Sequence, residues 1–284
     1  MNFKRIVLTM ASQTQPTQLS RAKKQSGAPV PGDTYVQSFA RGLQVIGCFS
    51  AEAPEQTLTE VAGRSGLTRA GARRILLTLQ TLGYVTSDGR LFRLSPRILD
   101  LGFAYLSSMP IWNLAEPAMQ GLASRVGESC SAAVLEGSDI IYVMRVPTHK
   151  IMSIGLGVGS RLPAYCTSMG RMLLADLDDE QALGVIEGSP RRALTRHTLT
   201  DPQDLLARVR QARKQGWCLV NQELEEGLVS LAAPLRDRGG RTVAALNISG
   251  QVNRTSARQM QDTMLPALRQ AADTISALLS AKQA

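Results

Sequence analysis

The sequence predicts an α+β protein with an N-terminal winged helix-turn-helix domain, a linker helix and a second domain containing an antiparallel sheet. Its 284 residues, 44% of them hydrophobic, suffice for two domains. A short helix, a glycine turn, an arginine-bearing helix and a hairpin follow one another before residue 95, and mixed α and β patterns follow Ile111. The predicted divisions are a disordered leader at 1–33, the winged domain at 34–95, the linker helix at 96–110 and the second domain at 111–284.

The net charge of +9 is concentrated in the N-terminal part. Residues 1–110 carry 13 Lys/Arg against 6 Asp/Glu, whereas residues 111–284 carry 19 against 17. The electrostatic field of such a positively charged segment attracts nucleic acid or an anionic membrane. No apolar run, however, reaches the roughly 20 residues that span a bilayer. We therefore expect a cytoplasmic protein with a nucleic-acid partner and no membrane partner.

Neither the N-terminal segment nor the cysteines indicate a specific functional site. The short apolar run at 3–10 lacks a signal-peptide cleavage site, and residues 11–33 are polar, which is typical of a disordered leader. The chain has four cysteines, without a CxxC pair, and two histidines. We expect neither a disulfide framework nor a metal site, and no cofactor.

Two helices are predicted before the glycine turn. Apolar residues recur at helical spacing from Val36 to Ser50 and predict an amphipathic first helix. Thr57, followed three positions later by Glu60, has the capping-box pattern, so a second helix begins there and ends at Gly66.

A third helix begins after a cap at Thr68 and ends at Gly83. Its spacing predicts a core-facing side formed by Ala72, Ile75, Leu76, Leu79 and Leu82. Alternating residues on both sides of the Ser87-Asp88-Gly89 turn then predict a hairpin, the wing. Ser95 and Pro96 start the linker helix, which ends by Pro110.

The arginines of this region point to DNA. No acidic residue lies between Glu60 and Asp88, so nothing nearby in the sequence neutralises them. We expect Arg73 and Arg74 to contact bases in the major groove. Contacts to phosphates are assigned to Arg64, Thr68, Arg69 and the wing residue Arg90. The alternative is that these arginines are ordinary solvated surface charge.

In the second domain, two antiparallel hairpins are predicted. One joins residues 130–135 to 140–145 through a Gly-Ser-Asp turn, and the other joins 230–235 to 242–249 through Gly239-Gly240. Helices are predicted at about 167–176, 179–186, 202–215 and 256–279.

Three candidate sites fall in this domain. The glycine-rich run at 155–159 lacks the spacing of a nucleotide-binding loop and is interpreted as a loop between strands. Cys166 with His149 lacks an orienting third group, so a buried cysteine is favoured over a nucleophile. The segment at 161–170 enters a helix whose first turn carries Thr167 and Ser168. Those hydroxyls either cap the helix or accompany backbone amides that bind a small carboxylate, and the sequence leaves both open.

The chain resembles the IclR family of transcriptional regulators. The resemblance extends over about 35–279 and rests on the helix-turn-helix, the wing, the linker helix and the run Leu162-Pro163-Ala164-Tyr165-Cys166-Thr167-Ser168-Met169-Gly170-Arg171. Further motifs, including Asp88-Gly89-Arg90 and the run from Asn221 to Leu228, are similar to the branch that governs β-ketoadipate and related aromatic-acid catabolism.

The resemblance implies a GAF-like C-terminal domain that binds a small aromatic or keto acid effector. Carried onto this chain, the effector-binding positions are Leu162, Ser168, Met169, Val220, Leu228, Ser230, Asn247 and Ser249. Relatives that bind very small keto acids have Cys at position 230 and Ser at position 247, so their effector cannot be transferred. The resemblance also implies a homodimer or homotetramer on a palindromic operator, with RNA polymerase as a partner if the protein is an activator.

The resulting hypothesis is a ligand-responsive DNA-binding regulator of aromatic-acid catabolism, with activation favoured over repression. One alternative is a repressor of the same class of operon. Another is an enzyme acting on a small aromatic acid with an appended DNA-binding module, which the scarcity of histidines disfavours. A DNA-packaging protein would leave the large second domain without a purpose.

Overall fold

The structure is a computed structural model that describes Gly32 and residues 35–108, 111–148 and 156–282. The predicted leader, except for Gly32, lies outside the described residues, as do His149 and Gly155. The chain forms two compact units that divide after Ser108. We call them the winged unit and the effector unit. No helix in the described ranges combines the length and apolarity needed to cross a bilayer.

The winged unit contains a helix-turn-helix followed by a small sheet. Its elements are α1 (Gln37–Ile46), β1 (Glu55–Thr57), α2 (Leu58–Ser65), α3 (Arg69–Thr81), β2 (Val85–Ser87), β3 (Leu91–Leu94), a 3-10 turn (Pro96–Ile98) and α4 (Leu99–Ser108). Strand β3 lies between β1 and β2 in an antiparallel sheet. The hairpin was predicted, whereas β1 was not, because three residues carry little strand signal and its partner lies more than thirty positions away.

The predicted helix boundaries around the turn agree with the structure. The Thr57 hydroxyl accepts a hydrogen bond from the Glu60 amide, and Glu60 bonds back to the Thr57 amide at 2.7 Å. Gly66 ends α2 with φ 63°, a left-handed conformation that favours glycine. Thr68 caps α3 by accepting from the Gly71 amide at 3.1 Å. These local bonds position α3 immediately after the turn.

The core of the winged unit is formed by Val45, Val61, Leu76, Leu79, Val85 and Phe92. Ala72 is also buried, but Leu82, which the spacing places on the core side of α3, is 51% exposed. That prediction was wrong because Leu82 is the C-cap residue, where the helical register that would turn it inward ends. The linker helix also differs slightly from its prediction, because a 3-10 turn at Pro96–Ile98 precedes α4.

The effector unit is a six-stranded antiparallel sheet with helices. Its elements are α5 (Ile111–Val126), β4 (Ser129–Glu136), β5 (Asp139–Val146), β6 (Arg161–Pro163), α6 (Ser168–Leu174), α7 (Asp179–Gly188), α8 (Pro202–Gln215), β7 (Cys218–Asn221), β8 (Leu228–Arg236), β9 (Thr242–Gln251), α9 (Ala257–Gln259), a π turn (Met260–Met264) and α10 (Leu265–Lys282). The strand order is β6-β5-β4-β9-β8-β7. Both predicted hairpins and the four predicted helices are present, although the last contains the π turn.

The sequence did not predict α5, β6 or β7 as elements. Helix α5 contains Pro117 and begins directly after the linker region, so its pattern gives no clear start. Strands β6 and β7 are short and lie at the two edges of the sheet. Helix α6 packs against β8 and β9 near the middle of the sheet, which positions its first turn beside the polar side chains of those strands.

Candidate functional site

The predicted DNA-contacting residues are all exposed in the winged unit. Arg69, Arg73 and Arg74 are exposed on α3, and Arg90 is exposed at the wing turn. None of these arginines forms an ion pair with a carboxylate among the described residues, and the same holds for Arg64. Cations that make no internal pair remain available to phosphate oxygens and base edges.

Two of the six residues also have internal roles. The Arg64 guanidinium donates to the Cys48 carbonyl at 3.3 Å, and the Thr68 hydroxyl is occupied as the cap of α3. At the wing, the Asp88 carboxylate accepts hydrogen bonds from the Arg90 and Leu91 amides, and these bonds lower the pKa of Asp88. The Asp88 side chain therefore stabilises the turn that presents Arg90.

A pocket in the effector unit brings together seven of the eight predicted effector-binding residues. It is lined by Tyr142, Arg145, Leu156, Cys166, Thr167, Ser168, Met169, Val220, Leu224, Leu228, Ser230, Asn247 and Ser249. Leu162 is the predicted residue that does not line it; this side chain is buried in β6, opposite Ile140 of β5. The pocket encloses about 30 Å³.

A chain of hydrogen bonds closes the centre of the pocket. The Ser168 and Ser230 hydroxyls are 2.6 Å apart, and the Asn247 amide nitrogen donates to the Ser230 hydroxyl at 3.1 Å. The Asn247 side-chain oxygen accepts from the Ser131 backbone amide at 3.1 Å, which fixes the orientation of the amide group. These small polar groups can exchange partners with a ligand without leaving the pocket.

In the first turn of α6, the hydroxyls of Thr167 and Ser168 have different partners. Thr167 is the cap, because its hydroxyl accepts from the Gly170 amide at 3.2 Å while donating to the Pro163 carbonyl at 2.9 Å. Ser168 bonds across the pocket instead. A Cβ at position 170 would lie 2.3 Å from the Cα of Ala164, so only glycine permits this close approach of β6 and α6.

A buried ion pair joins α6 to the loop before β8. The Arg171 guanidinium donates to both oxygens of Glu223, at 2.7 and 2.5 Å, and its Nε donates to the Tyr165 carbonyl. The two side chains are 3% and 10% exposed. Because Leu224 lines the pocket next to Glu223, this pair holds one pocket wall against the helix that supplies Ser168.

Cys166 lines the same pocket but is not suited to nucleophilic chemistry. Burial raises the pKa of its thiol to about 12, so the thiol stays protonated at neutral pH. The described residues also contain no group of three His, Cys, Asp or Glu side chains suited to hold a metal ion. The polar groups of the pocket are therefore equipped for binding through hydrogen bonds.

Sequence reasoning missed two polar residues of the pocket, Tyr142 and Arg145. They are three positions apart on β5, where ordinary alternation places them on opposite faces. A bulge between the Ala132 and Ala133 pairings inserts an extra residue in β5, and it brings both side chains to the pocket face. A bulge leaves no mark in a hydrophobic pattern, so the sequence offered no signal for this pair.

Models of two domain families match the chain. Residues 38–89 match the IclR helix-turn-helix domain, and residues 103–277 match the Bacterial transcriptional regulator IclR C-terminal domain. The chain belongs to the IclR family of transcriptional regulators. Both units described above therefore have the family's arrangement, with a DNA-binding domain followed by an effector-binding domain, and the protein is a regulator and not an enzyme.

Relatives of the chain include proteins named as transcriptional regulators and a homologue whose structure contains 4-hydroxybenzoate. The chain is 44% identical over 235 residues to the Pca regulon regulatory protein of Pseudomonas putida, covering 82% of this chain and 81% of that protein. It is 33% identical over 259 residues to the p-hydroxybenzoate hydroxylase transcriptional activator of Acinetobacter baylyi, covering 89% and 96%. The crystal structure of an IclR homologue from Microbacterium hydrocarbonoxydans complexed with 4-hydroxybenzoate matches with a TM-score of 0.74 at 25% identity, covering 85% and 98%.

Proposed function

We propose that this IclR-family protein is a cytoplasmic, effector-responsive activator of genes for the catabolism of an aromatic acid. The observation that supports it most is the pocket of the effector unit, where Ser168, Ser230 and Asn247 form a connected polar centre between apolar side chains. Small acids with an apolar body are bound in pockets of this composition. Activation is favoured because a 33% identical relative bears the name of a transcriptional activator, and RNA polymerase is then a partner.

On the DNA side, α3 is the recognition helix of the proposal. Arg73 and Arg74 contact base edges in the major groove, where arginine pairs well with guanine. Arg64, Thr68, Arg69 and Arg90 contact the phosphates and set the register. Arg64 does this from a guanidinium already anchored on the Cys48 carbonyl, which limits its freedom and lowers the entropic cost of the contact.

A second copy of the chain covers the apolar face of α1 in this proposal. Val36, Phe39 and Leu43 are 52% to 68% exposed and line a groove of about 940 Å³. Gly71 and Ile75 of α3 and its C-cap residue Leu82 form another wall of the groove. A palindromic operator needs two recognition helices related by a two-fold axis, and a homodimer held beside α3 supplies them.

In the effector unit, the ligand is a small aromatic or keto acid that contacts Ser168, Ser230, Asn247 and Ser249. Val220, Leu228 and Met169 cover its apolar body. A volume of about 30 Å³ is far below that of typical ligand pockets, so entry of an aromatic ring displaces pocket side chains. Met169 and Leu228 are the proposed movers, since α6 and the start of β8 close the pocket.

Effector binding then changes operator binding or promoter activation because the two arrangements of the protein differ in affinity for the effector. The linker helix α4 transmits the change to the recognition helices. Leu99, Leu101 and Phe103 of this helix are exposed, so it has apolar surface available for alternative packing.

Two measurements test the proposal. A thermal-shift screen of the full chain uses 4-hydroxybenzoate, protocatechuate, terephthalate, related phthalates and β-ketoadipate, because a specific ligand raises the melting temperature by mass action. Selection from random DNA duplexes then identifies the operator, and its affinity is compared with and without the best acid. The proposal predicts a palindromic site and an effector-dependent change. A ligand that binds without altering operator affinity or promoter output would contradict it.

A further inference from the structure

The pocket has a polar side on β5, formed by Tyr142 and Arg145, which none of the eight predicted effector residues occupies, and Ser131 of the neighbouring strand β4 lies next to it. Ser131 of β4 is 1% exposed, and its hydroxyl has no hydrogen-bond partner within the described part of the chain. A hydroxyl buried without a partner costs folding free energy, so a protein that keeps one there has another use for it.

The strand register shows where this hydroxyl lies. Ser131 pairs with Asn247 of β9 on one side and with Arg145 of β5 on the other. Directly paired residues of antiparallel strands project from the same face of the sheet. Because Asn247 and Arg145 both line the pocket, Ser131 lies between two pocket residues, on the face that they share.

The charge on this side is supplied by Arg145. Its guanidinium forms neither an ion pair nor a hydrogen bond with any residue that the structure describes. In the same unit Arg171, Arg213 and Arg241 are each paired with a carboxylate. An unpaired cation beside an unpaired hydroxyl is a donor set for a carboxylate, which accepts several hydrogen bonds and donates none.

The bulge in β5 adds Tyr142 to this donor set. It brings Tyr142 to the face that carries Arg145, and burial raises the pKa of the Tyr142 hydroxyl to about 12. The hydroxyl therefore stays neutral and keeps its proton as a hydrogen-bond donor. Across the sheet, Ser230 lies in β8, two strands from Ser131, so the two ends of the pocket are about 10 Å apart at the backbone.

We propose that Arg145 and Ser131 bind the carboxylate of the effector, and that the Ser168–Ser230 pair binds a second polar group at the opposite end of the aromatic ring. The inference rests on the proposed function and specifies its ligand. The effector is an aromatic acid with a hydroxyl or a second acid group across the ring from its carboxylate. Arg145, the one cation among the described residues that line the pocket, selects the acid, and the serine pair selects its substituent.

The test uses a matched pair of ligands, 4-hydroxybenzoate and 4-hydroxybenzamide, which differ in the negative charge. Calorimetry measures both affinities for the full chain, for Arg145→Gln and for the control Arg161→Gln, which removes an exposed arginine paired with Asp139. We expect Arg145→Gln to weaken the acid about 10- to 100-fold, as for loss of a hydrogen bond to a charged group, and to leave the amide nearly unchanged. Arg161→Gln should alter neither affinity.

Ser131→Ala provides a second readout that a structural role cannot produce. Because the hydroxyl has no partner, we expect the unliganded melting temperature to stay equal or rise, while the acid weakens about 5- to 10-fold. Equal acid binding by Arg145→Gln and the unaltered chain would overturn the inference, as would a lowered melting temperature with unchanged acid affinity in Ser131→Ala. If the unaltered chain binds no aromatic acid at all, the proposed function itself fails, and this inference fails with it.

Discussion

The arginines of the recognition helix α3 and two arginines of the effector unit, Arg171 and Arg213, are used in opposite ways. In the winged unit, Arg69, Arg73 and Arg74 are exposed on one helix without a carboxylate partner among the described residues. In the effector unit, Arg171 is buried against Glu223, and Arg213 is held by Asp179. The exposed cations of α3 remain available to an external anion, whereas Arg171 and Arg213 are already neutralised within the fold. Arg145 lines an internal pocket and has no carboxylate partner in the part of the chain that the structure describes, which is why it is assigned to a ligand.

The largest effect should follow from breaking the buried pair. Glu223→Ala leaves the Arg171 guanidinium buried without a carboxylate, and we expect a loss of about 3–5 kcal/mol in the free energy of unfolding. Denaturant titration of the full chain measures it. Asp179→Ala is the control, because both members of its ion pairs are partly exposed and the expected loss is much smaller than for the buried pair. Equal losses in the two variants would contradict the distinction between buried and exposed pairs.

A change on the recognition helix should affect affinity and leave stability intact. Arg73→Ala removes a proposed base contact, and we expect about 10- to 100-fold weaker operator binding, equivalent to about 1–3 kcal/mol. The melting temperature should not fall, since Arg73 makes no ion pair within the described ranges. Arg208→Ala, on α8 of the effector unit, is the charge-matched control. Unchanged operator affinity in Arg73→Ala would remove this residue from the interface.

A change at the wing should act on salt dependence more than on specificity. Arg90→Ala removes a proposed phosphate contact, so affinity should fall equally for operator and unrelated DNA. The slope of log affinity against log salt should decrease by about 1. Fluorescence anisotropy at several salt concentrations measures both. A selective loss for the operator alone would instead assign Arg90 to base contact.

The smallest effect concerns the thiols of the effector unit. Burial raises the pKa of Cys130 and of Cys166 to about 12, so both thiols stay protonated at pH 8 to 9 and should react slowly with iodoacetamide in the folded protein. Their pKa values in the folded protein exceed the ordinary value of a cysteine thiol, about 9, so this contribution to stability is present below about pH 9 and is lost as the pH rises toward 12. Rapid alkylation of Cys166 at pH 8 would show that the pocket is open to solvent.

The sequence predicted the winged unit well because its signals are local. The capping box at Thr57, the left-handed Gly66 and the cap at Thr68 each depend on residues within a few positions. Leu82 was misplaced because periodicity does not register the end of a helix. Strand β1 was missed because its pairing with β3 is distant in sequence.

The pocket was predicted less completely, because residues from four strands, one helix and the adjoining loops meet there. Ser168, Ser230 and Asn247 were identified through the family resemblance, and no spacing rule brings them together. Arg145 and Tyr142 were not predicted because a bulge determines which face of the sheet their side chains occupy. Ser131 was not predicted because only the structure shows that its hydroxyl is buried without a hydrogen-bond partner among the described residues. Register and satisfaction of polar groups become visible only in three dimensions.

The most direct test of the switch measures operator affinity with and without 4-hydroxybenzoate in three proteins. The unaltered chain should show an effector-dependent change in operator affinity or promoter output. Arg145→Gln should keep operator binding but lose the response at the same acid concentration, and Arg73→Ala should lose operator affinity but keep the acid-induced rise in melting temperature. If the acid binds the unaltered chain and neither operator affinity nor promoter output changes, the pocket does not control the recognition helices.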